Sequence, residues 1–221
     1  KKKLINLIPN KPSSLEDDIL PLIIKKKLIS GKFYKNFFLD IGTPKYLKKA
    51  ELSLKNYFNK PAAFLDRDGV INYDYGYVHN EKKFKFKNGV IKGLQYLIKK
   101  NYLIFLITNQ AGIAKGIYTE NDLYKLHTIL KIKLLKKNIF FNDVQYCPFH
   151  PKGKIPLYIK QSNLRKPNNQ MVKNVFKKFL IKKNKSFMIG DKISDKKCAQ
   201  KSRLNFHYAK NNFFKQIKEI I

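Results

Sequence analysis

The chain has 221 residues, 43% of them hydrophobic, a formal charge of +32 and an isoelectric point near 10.0, so it can bury a substantial core and is excluded from the disordered class. No uncharged apolar run approaches the roughly 18 residues of a membrane span, no leader pattern opens the chain, and two cysteines, Cys147 and Cys198, cannot build a disulfide framework; a cytoplasmic protein with no membrane partner is expected. The charge would ordinarily suggest nucleic acid, but the basic residues are almost all Lys, spread along the chain, with Arg only at 67, 165 and 203, and Lys, Asn, Ile, Phe and Tyr together match an A/T-rich codon bias, so no specific nucleic-acid partner is expected.

The first residue is Lys, which suggests a fragment whose true start lies upstream. Ser13-Ser14-Leu15-Glu16-Asp17 reads as a helix start, a hydroxyl cap followed by acids that suit the helix dipole, and predicts a helix over about 15–28. Phe37 to Pro44 reads as a strand closing in a turn, followed by a Lys-rich helix over about 45–58. From residue 62 strands and helices alternate. The pattern predicts strands at 62–65, 102–107, 143–146, 186–189 and 205–208, with helices at about 89–100, 120–136, 168–182, 194–201 and from 211, and a long loop at 147–167. Such alternation predicts a doubly wound, mostly parallel α/β sheet with helices on both faces, in which ligands bind at the carboxyl ends of the strands. The expected division is an appendage over 1–58 and one domain over 59–221, acting as a monomer.

Four of the five predicted strands lead into polar chemistry. Asp66-Arg67-Asp68-Gly69 follows the first, Thr108-Asn109-Gln110-Ala111-Gly112 the second, Arg165-Lys166-Pro167 the loop after the third, and Gly190-Asp191-Lys192, with Asp195 beyond, the fourth. Residues i and i+2 of an extended segment face one side, so Asp66 and Asp68 can address one substrate atom, and Gly69 lets the chain turn away. Two carboxylates that close repel, which a hard cation such as Mg²⁺ relieves, with Asp191 as a third ligand. Thr108 and Lys166 are placed to bind phosphoryl oxygens.

These four segments resemble the haloacid dehalogenase-like phosphatases, and the longer strings L-D-R-D-G-V-I-N, G-Y-V-H, T-N-Q-A-G-I-A-K-G, C-P-F-H-P, R-K-P and M-I-G-D-K resemble their heptose bisphosphate and histidinol-phosphate phosphatase branch, over about 62–210. The resemblance implies a minimal loop cap, Asp66 as nucleophile, Asp68 as acid and base, Thr108 and Lys166 as stabilisers of the transferring group, and Mg²⁺ held by Asp66, the Asp68 carbonyl and Asp191. It implies substrate contacts from Asp74, Tyr75, Gly76, Tyr77, Asn109, Gln110, Ala111, Arg165 and Lys192. The implied reaction is removal of the 7-phosphate of a heptose 1,7-bisphosphate in heptose biosynthesis; histidinol phosphate or another small sugar phosphate is the alternative substrate, and a basic nucleic-acid-binding module the alternative of another class. Relatives carry a zinc loop of the form Cys-x-His with a later Cys-x-Cys. Here only Cys147 and His150 remain, Ser162 and Leu164 standing where the later cysteines would be, so zinc is not expected. The stretch S-L-E-D-D-I-L-P followed by F-F-L-D-I-G-T-P resembles the C-terminal end of a sugar-phosphate nucleotidyltransferase, without that family's nucleotide loop; there Asp40 is expected as a turn or capping aspartate.

Overall fold

In the computed structural model, residues 5, 7–35 and 37–221 are described. The chain forms two compact units, Lys1–Leu47 and Lys48–Ile221. In the first, a single π-helical turn, Leu15–Ile19, leads into α1 (Leu20–Lys25). The Ser14 hydroxyl accepts from the Asp17 amide as expected of a cap. Residues 37–41 carry no regular structure. The expected strand there does not form because an isolated strand leaves its backbone donors and acceptors unpaired, and the segment pairs with no other strand among the described residues. Asp40 Oδ1 accepts from the Gly42 amide at 2.8 Å, the turn role expected of it. Helix α2 (Pro44–Phe58) opens on a proline at its first position and straddles the division.

The second unit is built on one five-stranded sheet of β1 (Ala62–Leu65), β2 (Leu103–Asn109), β3 (Asp143–Cys147), β4 (Phe187–Gly190) and β5 (Asn205–Tyr208), in the order β3-β2-β1-β4-β5. Every pairing is parallel. Parallel strands are covered on both faces and therefore read as continuous apolar runs, which is how Ala62–Leu65 and Leu103–Ile107 read, all buried but Leu103. Alternate side chains face opposite ways. Ala63, Leu65, Ile104, Leu106, Phe187 and Ile189 pack with Leu94 and Leu97 of α3 (Val90–Lys99), Leu134 of α4 (Glu120–Leu135) and Phe213 and Ile217 of α7 (Phe213–Ile220). Ala62, Phe64, Phe105, Ile107 and Met188 pack with Met171, Val172 and Val175 of α5 (Gln170–Lys178) and Cys198 and Ala199 of α6 (Ile193–Lys201). The sheet is thus doubly wound, and the chain leaves β1 between two strands reached in opposite directions, where such sheets hold ligands. Among the described residues no helix is long and apolar enough to cross a membrane.

Candidate active site

At the mouth of β1 the Asp66 amide still donates to Ile189 O, so the carboxylate leaves the sheet at a fixed point. Its Oδ1 accepts from the Arg67 amide at 2.8 Å and lies 2.9 Å from Lys166 Nζ. Lys166 Nζ also lies 2.6 Å from Asp195 Oδ1 and donates to Ile107 O at 2.8 Å. Of the three ammonium donors one is given to Ile107 O, and both carboxylates stand within ion-pair distance. Lys166 is 2% exposed, Asp66 6% and Asp195 0%, so the cation serves first as counter-charge to two buried carboxylates. Burial pushes the Asp66 pKa up to about 7, against the lowering influence of Lys166 and with a further rise from Asp195. Burial works against the Lys166 charge, but Asp66 and Asp195 outweigh it and hold that pKa above the usual lysine value. The Asn109 carboxamide fixes this lysine through both its ends, accepting from Lys166 N at 3.0 Å and donating to Lys166 O at 3.1 Å.

Asp68 sits in a cage of donors. The fully buried Arg67 reaches it through Nε at 3.1 Å and Nη2 at 3.0 and 2.8 Å, Asn72 Nδ2 at 2.9 Å and Gln110 Nε2 at 3.2 Å. Gln110 Nε2 also donates to Thr108 Oγ1 at 2.9 Å, while its Oε1 accepts from Tyr118 OH. Thr108 is therefore an acceptor on one side, which leaves its own hydroxyl hydrogen to donate elsewhere.

Gly69 has φ +84°, and a Cβ there would stand 2.5 Å from Asp191 Oδ2. Only glycine permits both the left-handed turn and that approach. Carboxylate oxygens of Asp66, Asp191 and Asp195 lie within 4.8 Å of one another. Asp191 Oδ1 is buried without a hydrogen-bond partner, and burial holds the Asp191 pKa above the usual range. Hard oxygen donors, a partnerless buried carboxylate oxygen and converging negative charge fit Mg²⁺.

A cleft of about 380 Å³ opens over these groups, lined by Asp66, Asp68, Thr108 and Lys166 together with Asp74, Gly76, Tyr77, Asn109, Gln110, Ala111, Arg165 and Lys192. These are nearly all the residues expected from sequence. Lys192 Nζ pairs with Asp74 Oδ2 at 3.0 Å and lies 3.7 Å from Asp191 Oδ2. Tyr75 lies outside the lining, exposed and stacked on Tyr73, and Asp191 stands beside the cleft beneath Gly69. Sequence reasoning did not assign Lys115, Tyr118, His150, Ser194 and Asp195, which also line it. For Asp195 the signal was present: third residue of a helix opening directly after β4, with its Oδ2 accepting from the Lys192 amide, it must turn back toward the strand end. Cys147 is fully buried, its thiol toward Phe149 O, and His150 Nδ1 accepts from the Lys152 amide. The loop between them and Lys166 is held by Glu120, which accepts from Tyr146 OH at 2.9 Å and Tyr158 OH at 2.8 Å.

Comparison with known proteins places this arrangement. A family model described as polynucleotide kinase 3 phosphatase matches residues 63–218. The D-glycero-beta-D-manno-heptose-1,7-bisphosphate 7-phosphatase of Haemophilus influenzae is 40% identical over 137 residues, 62% of this chain and 74% of the relative. Its counterpart in Escherichia coli K12 is 37% identical over 139 residues, 63% and 73% of the two chains. Among solved structures, a had-like phosphatase from Mesorhizobium loti superposes with a TM-score of 0.66 at 22% identity over 73% of this chain and 84% of that one. The D,D-heptose 1,7-bisphosphate phosphatase of B. bronchiseptica, complexed with magnesium and phosphate, gives 0.62 at 20% identity over 72% and 86%. The two structures share the fold. The match over residues 63–218, joined to relatives near 40% identity across about three quarters of their length, shows that this chain belongs to the heptose 1,7-bisphosphate 7-phosphatase family of phosphoric monoester hydrolases, and the superpositions give it the had-like fold.

Proposed function

We propose that the chain removes the 7-phosphate of D-glycero-D-manno-heptose 1,7-bisphosphate through an aspartyl phosphate on Asp66. The observation that carries this reading is one buried carboxylate, Asp66, paired with Lys166 at 2.9 Å on a cleft that Thr108 and Asp68 also line. The Arg67 amide and Lys166 both engage Oδ1, which leaves Oδ2 as the attacking oxygen. That oxygen displaces the sugar oxygen in line at phosphorus, and Asp68 protonates the leaving oxygen, then takes a proton from the water that hydrolyses the acyl phosphate. Asn72, Gln110 and Arg67 keep the Asp68 carboxylate aimed. The Thr108 hydroxyl and Lys166 stabilise the equatorial oxygens. Asp66, Asp191 and the Asp68 carbonyl would hold Mg²⁺, with Asp195 in the same cluster; when bound it neutralises charge on the phosphoryl group.

Asp74, Tyr77, Arg165 and Lys192 are the substrate contacts of this reading. Every lining residue falls between 66 and 195, which supports treating 1–58, the nucleotidyltransferase-like segment, as an appendage outside the chemistry of a cytoplasmic, monomeric enzyme. The test is phosphate release from a panel containing the heptose bisphosphate and histidinol phosphate, followed by phosphorus NMR to identify the position lost. Mg²⁺-dependent loss of the 7-phosphate, abolished in Asp66→Asn, is expected. Hydrolysis of histidinol phosphate in preference would overturn the substrate, and unchanged turnover in Asp66→Asn would overturn the mechanism.

A further inference from the structure

Asp68 and Thr108 are both held by one carboxamide. Gln110 Nε2 gives one hydrogen to Asp68 Oδ2 at 3.2 Å and the other to Thr108 Oγ1 at 2.9 Å, so both amide donors are spent. On its other side Oε1 accepts from Tyr118 OH. Gln110 and Tyr118 are buried, and among the described residues this phenol is the one donor to Oε1. Burial holds the Tyr118 pKa above the usual phenol value, so the hydroxyl keeps the hydrogen it donates.

The phenol is itself fixed by packing. Its ring stands against Gly112, where a Cβ would lie 2.1 Å from Cε1, stacks on the His79 ring at 4.9 Å between centroids, and shares a small core with Ile113 and Leu123. Gln110 is anchored by its backbone, its amide donating to Cys147 O at 2.8 Å. What can move is the carboxamide end. A buried acceptor stripped of its donor is costly and turns toward another. The hydroxyl already in contact with this carboxamide is that of Thr108. Turning Oε1 to it would draw in the hydrogen that Thr108 otherwise presents to a phosphoryl oxygen, and would withdraw Nε2 from Asp68.

We propose that Tyr118 is a positioning residue for phosphoryl transfer: its hydroxyl holds the Gln110 carboxamide with the amino end toward Asp68 and Thr108, which aims the acid and leaves the Thr108 hydrogen free for the transferring group. The inference rests on the phosphatase reading above, and its test reads the phosphoryl subsite separately from the sugar. Tyr118→Phe keeps the ring and deletes the donor. The wild type, Tyr118→Phe, Gln110→Ala and the double variant are compared in two measurements: Mg²⁺-dependent affinity for orthovanadate, a mimic of the transferring group, by calorimetry, and kcat and KM for the heptose bisphosphate. Tyr118→Phe weakens vanadate about 3-fold to 10-fold, the worth of one neutral hydrogen bond. It lowers kcat by a similar factor and changes KM less than about 2-fold, as expected where an interaction of the transition state is lost. In the Gln110→Ala background the same substitution changes neither, since no carboxamide is left to hold. Equal effects of Tyr118→Phe in the two backgrounds, or an unchanged vanadate affinity in the single variant, overturn the proposal. Coupled vanadate binding in a protein that leaves the heptose bisphosphate intact supports the proposal and overturns the substrate reading alone; a wild type that binds no vanadate overturns both.

Discussion

Replacing Lys166 by Met removes the one cation between two buried carboxylates. Asp66 and Asp195 side chains are 8% and 1% exposed and lie 2.9 and 2.6 Å from the ammonium, so solvent cannot take over its role. Breaking a buried pair by deleting one partner costs about 3–5 kcal/mol. Here the two acids left behind also repel each other, which places the loss at the upper end. For a chain of this size that is a fall in melting temperature of roughly 10–20 °C. The assay is urea and thermal unfolding in metal-free buffer, with Asp195→Asn and the double variant Lys166→Met/Asp195→Asn beside it. Lys166→Met and Asp195→Asn are each destabilised. The double variant, which removes charges of both signs together, is more stable than the sum of its parts by about 1–3 kcal/mol, the range of coupling between residues in contact. Phosphatase activity stays lost in every variant lacking Lys166. Strict additivity of the two single effects would refute the account of Lys166 as counter-charge.

His127 Nε2 lies 3.4 Å from Arg67 Nη1 and accepts from it; burial first and Arg67 second lower its pKa to about 4. The unfolded chain therefore binds more protons than the folded one between about pH 4 and 6.5, and stability falls as pH drops through that window by about 2–3 kcal/mol, allowing for partial exposure; His127→Gln flattens the slope in a pH series of urea midpoints. Gly69→Ala places a methyl against Asp191 in a backbone region that costs an L residue about 1–2 kcal/mol, so it lowers stability by about that amount in thermal unfolding and, by displacing Asp191, raises the Mg²⁺ concentration for half-maximal activity in a metal titration. Glu120→Ala frees the hydroxyls of Tyr146 and Tyr158 and costs about 1–3 kcal/mol. Limited proteolysis then cuts within 147–167 faster than in the wild type, and kcat/KM falls because Arg165 lies at the end of that loop.

The central architecture was legible because parallel strands buried on both faces announce themselves as short apolar runs, and β1 and β5 fall where the pattern placed them. The second strand runs two residues further than the apolar run, to Asn109, because backbone pairing with β3 continues to Cys147 after the side chains turn polar. The helix expected to reach residue 182 ends at Lys178, where Lys60 and Ile181 bridge instead. In the site, the strand-end residues were found since chain order alone brings them to one rim. Asp195 was seen at the rim but given no role, and Lys115 and Tyr118 were not seen at all, because what each does is set by the partner it meets: Lys166, Tyr77 and Gln110 respectively. Such pairings are set by packing and leave no periodicity to read.

The placement of β1 at the centre of the sheet has a consequence for how the protein comes into being. Of the five strands of this sheet it is the first to leave the ribosome, and β2 covers one of its edges early, but the other edge waits for β4, after residues 66–186 have been made. The closure that satisfies Ala63–Leu65 also brings the Asp66 amide onto Ile189 O and delivers Asp191 and Asp195 to the rim. Until then the nascent chain exposes an apolar strand edge that invites pairing with other chains. It also holds no assembled phosphatase centre. The same docking event therefore ends the period of aggregation risk and begins enzymatic competence, so an incompletely synthesised chain cannot hydrolyse cellular phosphate esters.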